Sequence, residues 1–198
     1  MAKTQTLPTW LCLNACDDKT ASGFADVRTG EEIHGGALNL GDYFDLTEAE
    51  AKQLSYLTTG TLHAGRYRRV QVDSGATQAY VKTGTIGYMV SGLQPNLNVV
   101  TSYDKGIVGV HPVVFLNAIT VGNFGFVQEM GIATCLCQAA ALSAVGAAGN
   151  LVNAVATGVI DAPAATTTWT QNIVGIQLDP AMIATKIRVS LLWVAQQG

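Results

Sequence analysis

Four cysteines fall in two close pairs, Cys12 with Cys16 and Cys135 with Cys137, and three histidines, His34, His63 and His111, accompany them. Thiolates and imidazoles are the ligands of a zinc site, so these residues are where the chain could do metal chemistry. Their setting argues for something plainer. Structural zinc sites hold paired thiolates about two to four residues apart in a turn. Cys135 and Cys137 instead sit in an apolar run, where a strand would point both to one face. They read as buried free thiols, with Cys12, Cys16, Cys135 and Cys137 kept as metal-ligand candidates of the second rank. No cofactor is expected.

Nucleophilic catalysis by a cysteine needs a base held beside the thiolate, and none of the three histidines stands in a recognisable local motif. His111 precedes Pro112 in an apolar segment, which suits a structural histidine with its hydrogen bonds satisfied. The chain has no Gly-x-Ser-x-Gly elbow, and Gly146 to Gly149 lacks the Gly-Lys-Ser/Thr of a phosphate loop. The paired carboxylates Asp17-Asp18 and Glu31-Glu32 lie among turn-forming residues and read as solvated turns. The expectation is a protein that is not an enzyme.

Arg66, Arg68 and Arg69 flank Tyr67 and form the one basic cluster. Planar guanidinium groups suit phosphates or carboxylates. The net charge of −3 argues against a nucleic-acid surface, which is ordinarily clearly basic. A salt-bridging contact to a neighbouring subunit is the more economical reading. Arg66, Arg68, Arg69, Trp10 and Trp169 are therefore the candidate partner contacts.

The elements that must position these residues are mostly strands. Of 198 residues, 48% are hydrophobic and 13% charged, against roughly 25% charged in an average globular domain. Surface must thus be covered by a large core or by subunit interfaces. A membrane span is not expected, because Gly131 to Ile160 is interrupted by Gln138, Ser143, Asn150 and Asn153. Met1 to Trp10 carries no apolar stretch of the kind that opens a secretory signal, which points to synthesis in a cytoplasm.

Charge divides the chain. Between Ile107 and Thr185 the charged residues are Glu129, Asp161 and Asp179 alone. Residues 1–41, rich in turn signals, read as an extended N-terminal arm with short strands. Thr47 and Glu50 form a capping box and predict one helix from Thr47 to about Leu57. Strands are predicted at Arg66–Val72, Ala79–Lys82, Thr85–Val90, Val99–Tyr103, Ile107–Leu116, Phe124–Val127, Ala133–Gln138, Asn153–Val159, Asn172–Leu178 and Lys186–Trp193. In the last, Ile187, Val189, Leu191 and Trp193 share one face. Ala139 to Asn150 reads equally as helix or small-residue loop. The resulting division is an arm over 1–41, a helix with strands over 42–106 and a β-barrel over 107–198, with 42–198 as one domain the alternative.

The segments Val155–Ile160, Ala164–Thr170, Ile173–Leu178 and Ile187–Trp193, with Val174-Gly175-Ile176 and Val189-Ser190-Leu191 as their clearest motifs, resemble the small β-barrel, or β-tulip, of head decoration (cement) proteins of tailed bacteriophages. Tyr67 to Gly84 is similar to segments of phage structural proteins, and together these cover about half of the chain. The resemblance implies a mainly β fold with an N-terminal arm, one short helix and a small β-barrel or β-tulip-like domain. It also implies a homo-oligomer, dimeric or trimeric, that binds the major capsid protein on the virion's outer surface and stiffens the shell; the charge and the interrupted apolar run add the expectation of no nucleic-acid and no membrane partner. It carries no catalytic residue to this sequence. The alternatives are a head fibre base, spike or host-surface adhesin, and, in another class, a small Cys/His metal-dependent enzyme.

Overall fold

A computed structural model describes residues 41, 43–54, 62–91, 95–105, 111–138, 148–149, 151–155, 157–161, 173–179 and 185–192. Trp10, Cys12, Cys16, His34 and Trp169 lie outside the described residues, as do the arm over 1–40 and the stretch 139–147.

Strand β1 (Tyr43–Leu46) leads through Thr47 into helix α1 (Glu48–Leu54). The capping box closes as the sequence predicts. Glu50 N–H donates to Thr47 Oγ1 at 3.3 Å, and Thr47 N–H donates back to Glu50 Oε2 at 2.8 Å. Two amides left over by helix geometry are thereby satisfied.

Five strands then close a barrel: β2 (Gly65–Val72), β3 (Ile86–Ser91), β4 (Pro95–Ser102), β5 (Pro112–Phe115) and β6 (Phe124–Leu136). The order around it is β2-β4-β3-β5-β6, and β6 returns to pair with β2. All pairings are antiparallel except β2–β4, which runs parallel. Val70, Val72, Met89, Val100, Phe115 and Val127 fill its interior. Closure removes the open edges that would otherwise recruit other strands.

A second layer grows from the same long strand. Strand β10 (Lys186–Leu191) pairs with residues 131–136 of β6, and β9 (Ile173–Gln177), β7 (Leu151–Ala154) and β8 (Ile160–Asp161) follow in order. A single bridge between Cys137 and Ile160 brings β8 back to the end of β6. Cys135, Val152, Ile160, Val174, Ile187 and Val189 form a second core cluster, which Ile86 of β3 and Val114 of β5 join from the barrel. Burial alternates along β10 as read from sequence, with Ile187, Val189 and Leu191 buried and Arg188 exposed.

β6 is thus common to both layers, and Gly131 is where it passes from one to the other. Gly131 pairs with Gly65 on one side and Leu191 on the other, at φ +92°. The sequence predicts two strands here, Phe124–Val127 and Ala133–Gln138. The chain makes one of 13 residues, because a glycine at positive φ turns the backbone without ending the ladder.

A second difference lies at Ala79–Lys82, predicted as strand and found as a 3-10 turn over Gln78–Tyr80. Side chains supply the reason. Gln78 donates to the Ile119 carbonyl at 3.0 Å and accepts from the Val121 amide at 2.8 Å, while Thr85 Oγ1 lies 2.7 Å from the Tyr80 carbonyl. Local bonds of this kind compete with a strand ladder. The fall in charge near residue 106 marks no break in the sheet, since β2, β3 and β4 precede it, β5 and β6 follow it, and all five share one barrel. Among the described residues, no helix is long and apolar enough to cross a membrane.

Candidate functional site

Alternation along β2 divides the arginine cluster. Tyr67 and Arg69 point to one face, Arg66 and Arg68 to the other. Arg69 is 1% exposed, its guanidinium 5.9 Å from the Phe124 ring centre and 5.8 Å from that of Phe126. The reading of Arg69 as a partner contact is corrected: its own chain encloses it, because strand pairing sets it opposite Phe126.

Arg66 and Arg68 form a different structure. Arg66 grips Asp45 through Nε–Oδ1 at 2.8 Å and Nη2–Oδ2 at 3.0 Å. Arg68 holds Glu129 through Nε–Oε2 at 2.7 Å and Nη2–Oε1 at 3.1 Å, and also donates to the Gly41 carbonyl at 2.9 Å. The Tyr43 ring lies under both, with its centre 4.3 Å from the Arg66 guanidinium and 5.5 Å from that of Arg68. A β-bulge makes this possible. The β2–β6 register slips between Arg66 and Tyr67, leaving Glu129 as the extra residue, and a bulge of this kind re-aims a side chain. Glu129 and Arg68 are both largely buried, at 6% and 13% side-chain exposure, so the pair is a desolvated, two-pronged contact.

His111 adds to the same corner. Its Nε2 donates to the Glu129 carbonyl at 3.1 Å, which fixes the proton on that nitrogen, since a carbonyl only accepts. Burial lowers its pKa. The ring serves as a structural donor to that carbonyl.

His63 links the two layers. Its Nε2 lies 3.0 Å from Thr134 Oγ1 on β6, and its Nδ1 lies 3.6 Å from Glu48 Oε1 on α1. Tyr67 Oη donates to the His63 carbonyl at 2.6 Å and accepts from its amide at 3.2 Å. Glu48 also accepts from the Ala64 amide at 2.9 Å, and that bond, with His63 beside it, holds the Glu48 pKa below the usual glutamate value. Carboxylate, imidazole and hydroxyl in line could in principle activate the hydroxyl. Here Thr134 sits inside a ladder, paired across to Arg188, and the line fastens α1 and the 62–64 segment to β6.

The thiols are sealed. Cys135 is wholly buried and Cys137 is 5% exposed, both in the core of the second layer. Burial pushes both thiols up, Cys135 far above its usual range. A neutral thiol in an apolar core is neither a ready nucleophile nor a ready metal ligand. Among the described residues, no three His, Cys, Asp or Glu side chains gather into a metal site.

Sequence reading missed Asp45, Tyr43, Met130 and the Asp179–Arg188 pair, in which Arg188 Nε donates to Asp179 Oδ1 at 2.8 Å. Glu129 carried a signal: it is one of three acids between 107 and 185, and a lone carboxylate in an apolar run calls for a cation. Compared with known proteins, the chain matches no family model, no curated protein and no solved structure.

Proposed function

We propose that this protein is a structural subunit that acts by packing against other proteins, as a decoration (cement) protein of a bacteriophage capsid. One observation carries the structural part of the reading. Among the described residues, the cysteines and histidines are committed to architecture: Cys135 and Cys137 to a core, His111 to the Glu129 carbonyl, and His63 to the joint between layers. A buried thiol with a raised pKa is opposed to the Cys/His enzyme alternative. The capsid as partner rests on the sequence resemblance, which implies a mainly β fold with one short helix and a small barrel; the chain has such a fold, with the closed barrel built by β2 to β6 rather than by the 155–193 segments that carry the resemblance.

The test is co-sedimentation of the purified protein with preassembled phage capsids that lack it. The reading expects saturable binding at a copy number comparable to that of the major capsid subunit. Binding at a few copies per particle would favour the fibre-base, spike or adhesin alternative. No binding to any shell would overturn the capsid reading.

A further inference from the structure

The bend in β6 builds a cavity. Gln128 and Thr134 lie on opposite sides of Gly131, yet both line one small hollow, because the backbone turns between them at φ +92°. The buried Gln128 side chain spans that turn, donating to the Met130 carbonyl at 3.2 Å and to the Ile132 carbonyl at 2.6 Å.

The turn from Lys82 to Thr85 forms another wall. Gly84 N–H donates to the Phe115 carbonyl at 2.8 Å, and the Gly84 carbonyl accepts from the Leu136 amide at 2.7 Å. Thr83 and Gly84 thereby bridge the barrel and the far half of β6. Residues 114–116 and Lys186 of β10 complete the lining.

Lys186 brings the charge. It is exposed, and among the described residues no carboxylate pairs with it, whereas Arg188 on the same strand is held by Asp179. The residue before it is a backbone outlier. Thr185 has φ +63° and is the one non-glycine residue at positive φ among the described residues. A β-branched residue is strained there, and such strain persists only where the surroundings enforce it, commonly at binding sites. The Cys137 amide, donating to the Thr185 carbonyl at 2.8 Å, is one contact that holds it.

The donors select a ligand. An ammonium offers three N–H groups and one positive charge. Thr134 Oγ1 already meets His63, which leaves Thr83 as the lining hydroxyl with no partner among the described residues. A carboxylate answers this pair with two oxygens and one negative charge. A phosphate dianion would bring more charge than one lysine offsets. The space, about 350 Å³ counted out to the solvent at its mouth, lies at the low end for a small-molecule site.

We propose that the cavity at the bend of β6 binds a small free carboxylate, with Lys186 as its counter-ion and the Thr83 hydroxyl as a second donor. The site does not depend on the capsid reading.

The test is titration of the full chain with acetate at constant ionic strength, chloride being the balancing ion, followed by amide NMR shifts. Saturable shifts are expected at Thr83, Gly84, Leu116 and Lys186. Lys186→Gln, which removes the charge and keeps most of the stem, should weaken binding about tenfold or more. Thr83→Val should weaken it as well. Lys82→Gln, at an exposed lysine outside the lining, should leave it unchanged. Thermal melting identifies any variant that fails to fold, and the exposed position of Lys186 keeps the test decisive should Thr83→Val misfold. Shifts that rise without saturating, shifts that chloride or phosphate reproduces equally, or an affinity indifferent to Lys186→Gln would each overturn the proposal.

Discussion

Gly131 lies against Gly65 so closely that a Cβ on Gly131 would stand 2.6 Å from the Gly65 Cα and 2.4 Å from the Ala64 carbonyl oxygen. The atoms in the way are backbone and cannot swing aside. The contact sits where β6 passes from the first barrel to the second layer, so the joint depends on two residues without side chains.

Gly131→Ala is therefore expected to cost on the order of 3 kcal/mol or more, combining positive φ with a forced backbone shift. Gly122 is the control. It has φ +85°, but a Cβ there would meet nothing within 4 Å, so Gly122→Ala should cost only about 1 kcal/mol. Urea unfolding of both variants gives the comparison, and equal costs would refute the steric account.

Arg68 and Glu129 form a desolvated pair, so removing either partner leaves the other charge in a poor environment. Arg68→Ala and Glu129→Ala should each cost about 3 kcal/mol. The double variant should cost clearly less than the sum, with a coupling of roughly 1–3 kcal/mol in a double-mutant cycle. Additive costs would show that the two side chains act separately.

Asp179 gives a pH dependence with a definite sign. Hydrogen bonds from Arg188, its side chain first, hold the Asp179 pKa below the usual 3.8. A carboxylate depressed by folding stabilises fully above its ordinary pKa and loses that contribution as pH falls through the folded value. Asp179→Asn should thus be less stable than the parent at neutral pH, with the two converging below about pH 4. Denaturant midpoints across that range measure it, and a constant gap would contradict it.

Cys135, wholly buried, should resist alkylation in the folded protein at pH 8 and react promptly in denaturant, as read by peptide mass mapping. Cys135→Ser should cost about 1–3 kcal/mol by placing a hydroxyl in an apolar core. Rapid labelling of Cys135 in the native state would show that the second layer opens readily.

Local chemistry was legible in the sequence. The Thr47–Glu50 box, the β10 alternation and the shared face of Cys135 and Cys137 each depend on neighbours within a few residues. What escaped reading depends on partners far along the chain. Arg69 looks like surface charge until Phe124 and Phe126 arrive beside it, and Gly131 looks like a strand end until Gly65 is seen to need the space. The parallel β2–β4 pair closes the barrel without a local signal of its own. The arginine corner was half legible: Arg66 and Arg68 were singled out, but Tyr43, Asp45 and Met130 join them only through strand register.

The proposed role in strengthening a capsid shell is checked by heating capsids with and without the protein and following DNA release or loss of intact particles. Saturated capsids are expected to survive to a higher temperature than bare ones, with the gain rising with occupancy. Saturated and bare capsids failing at the same temperature would contradict it.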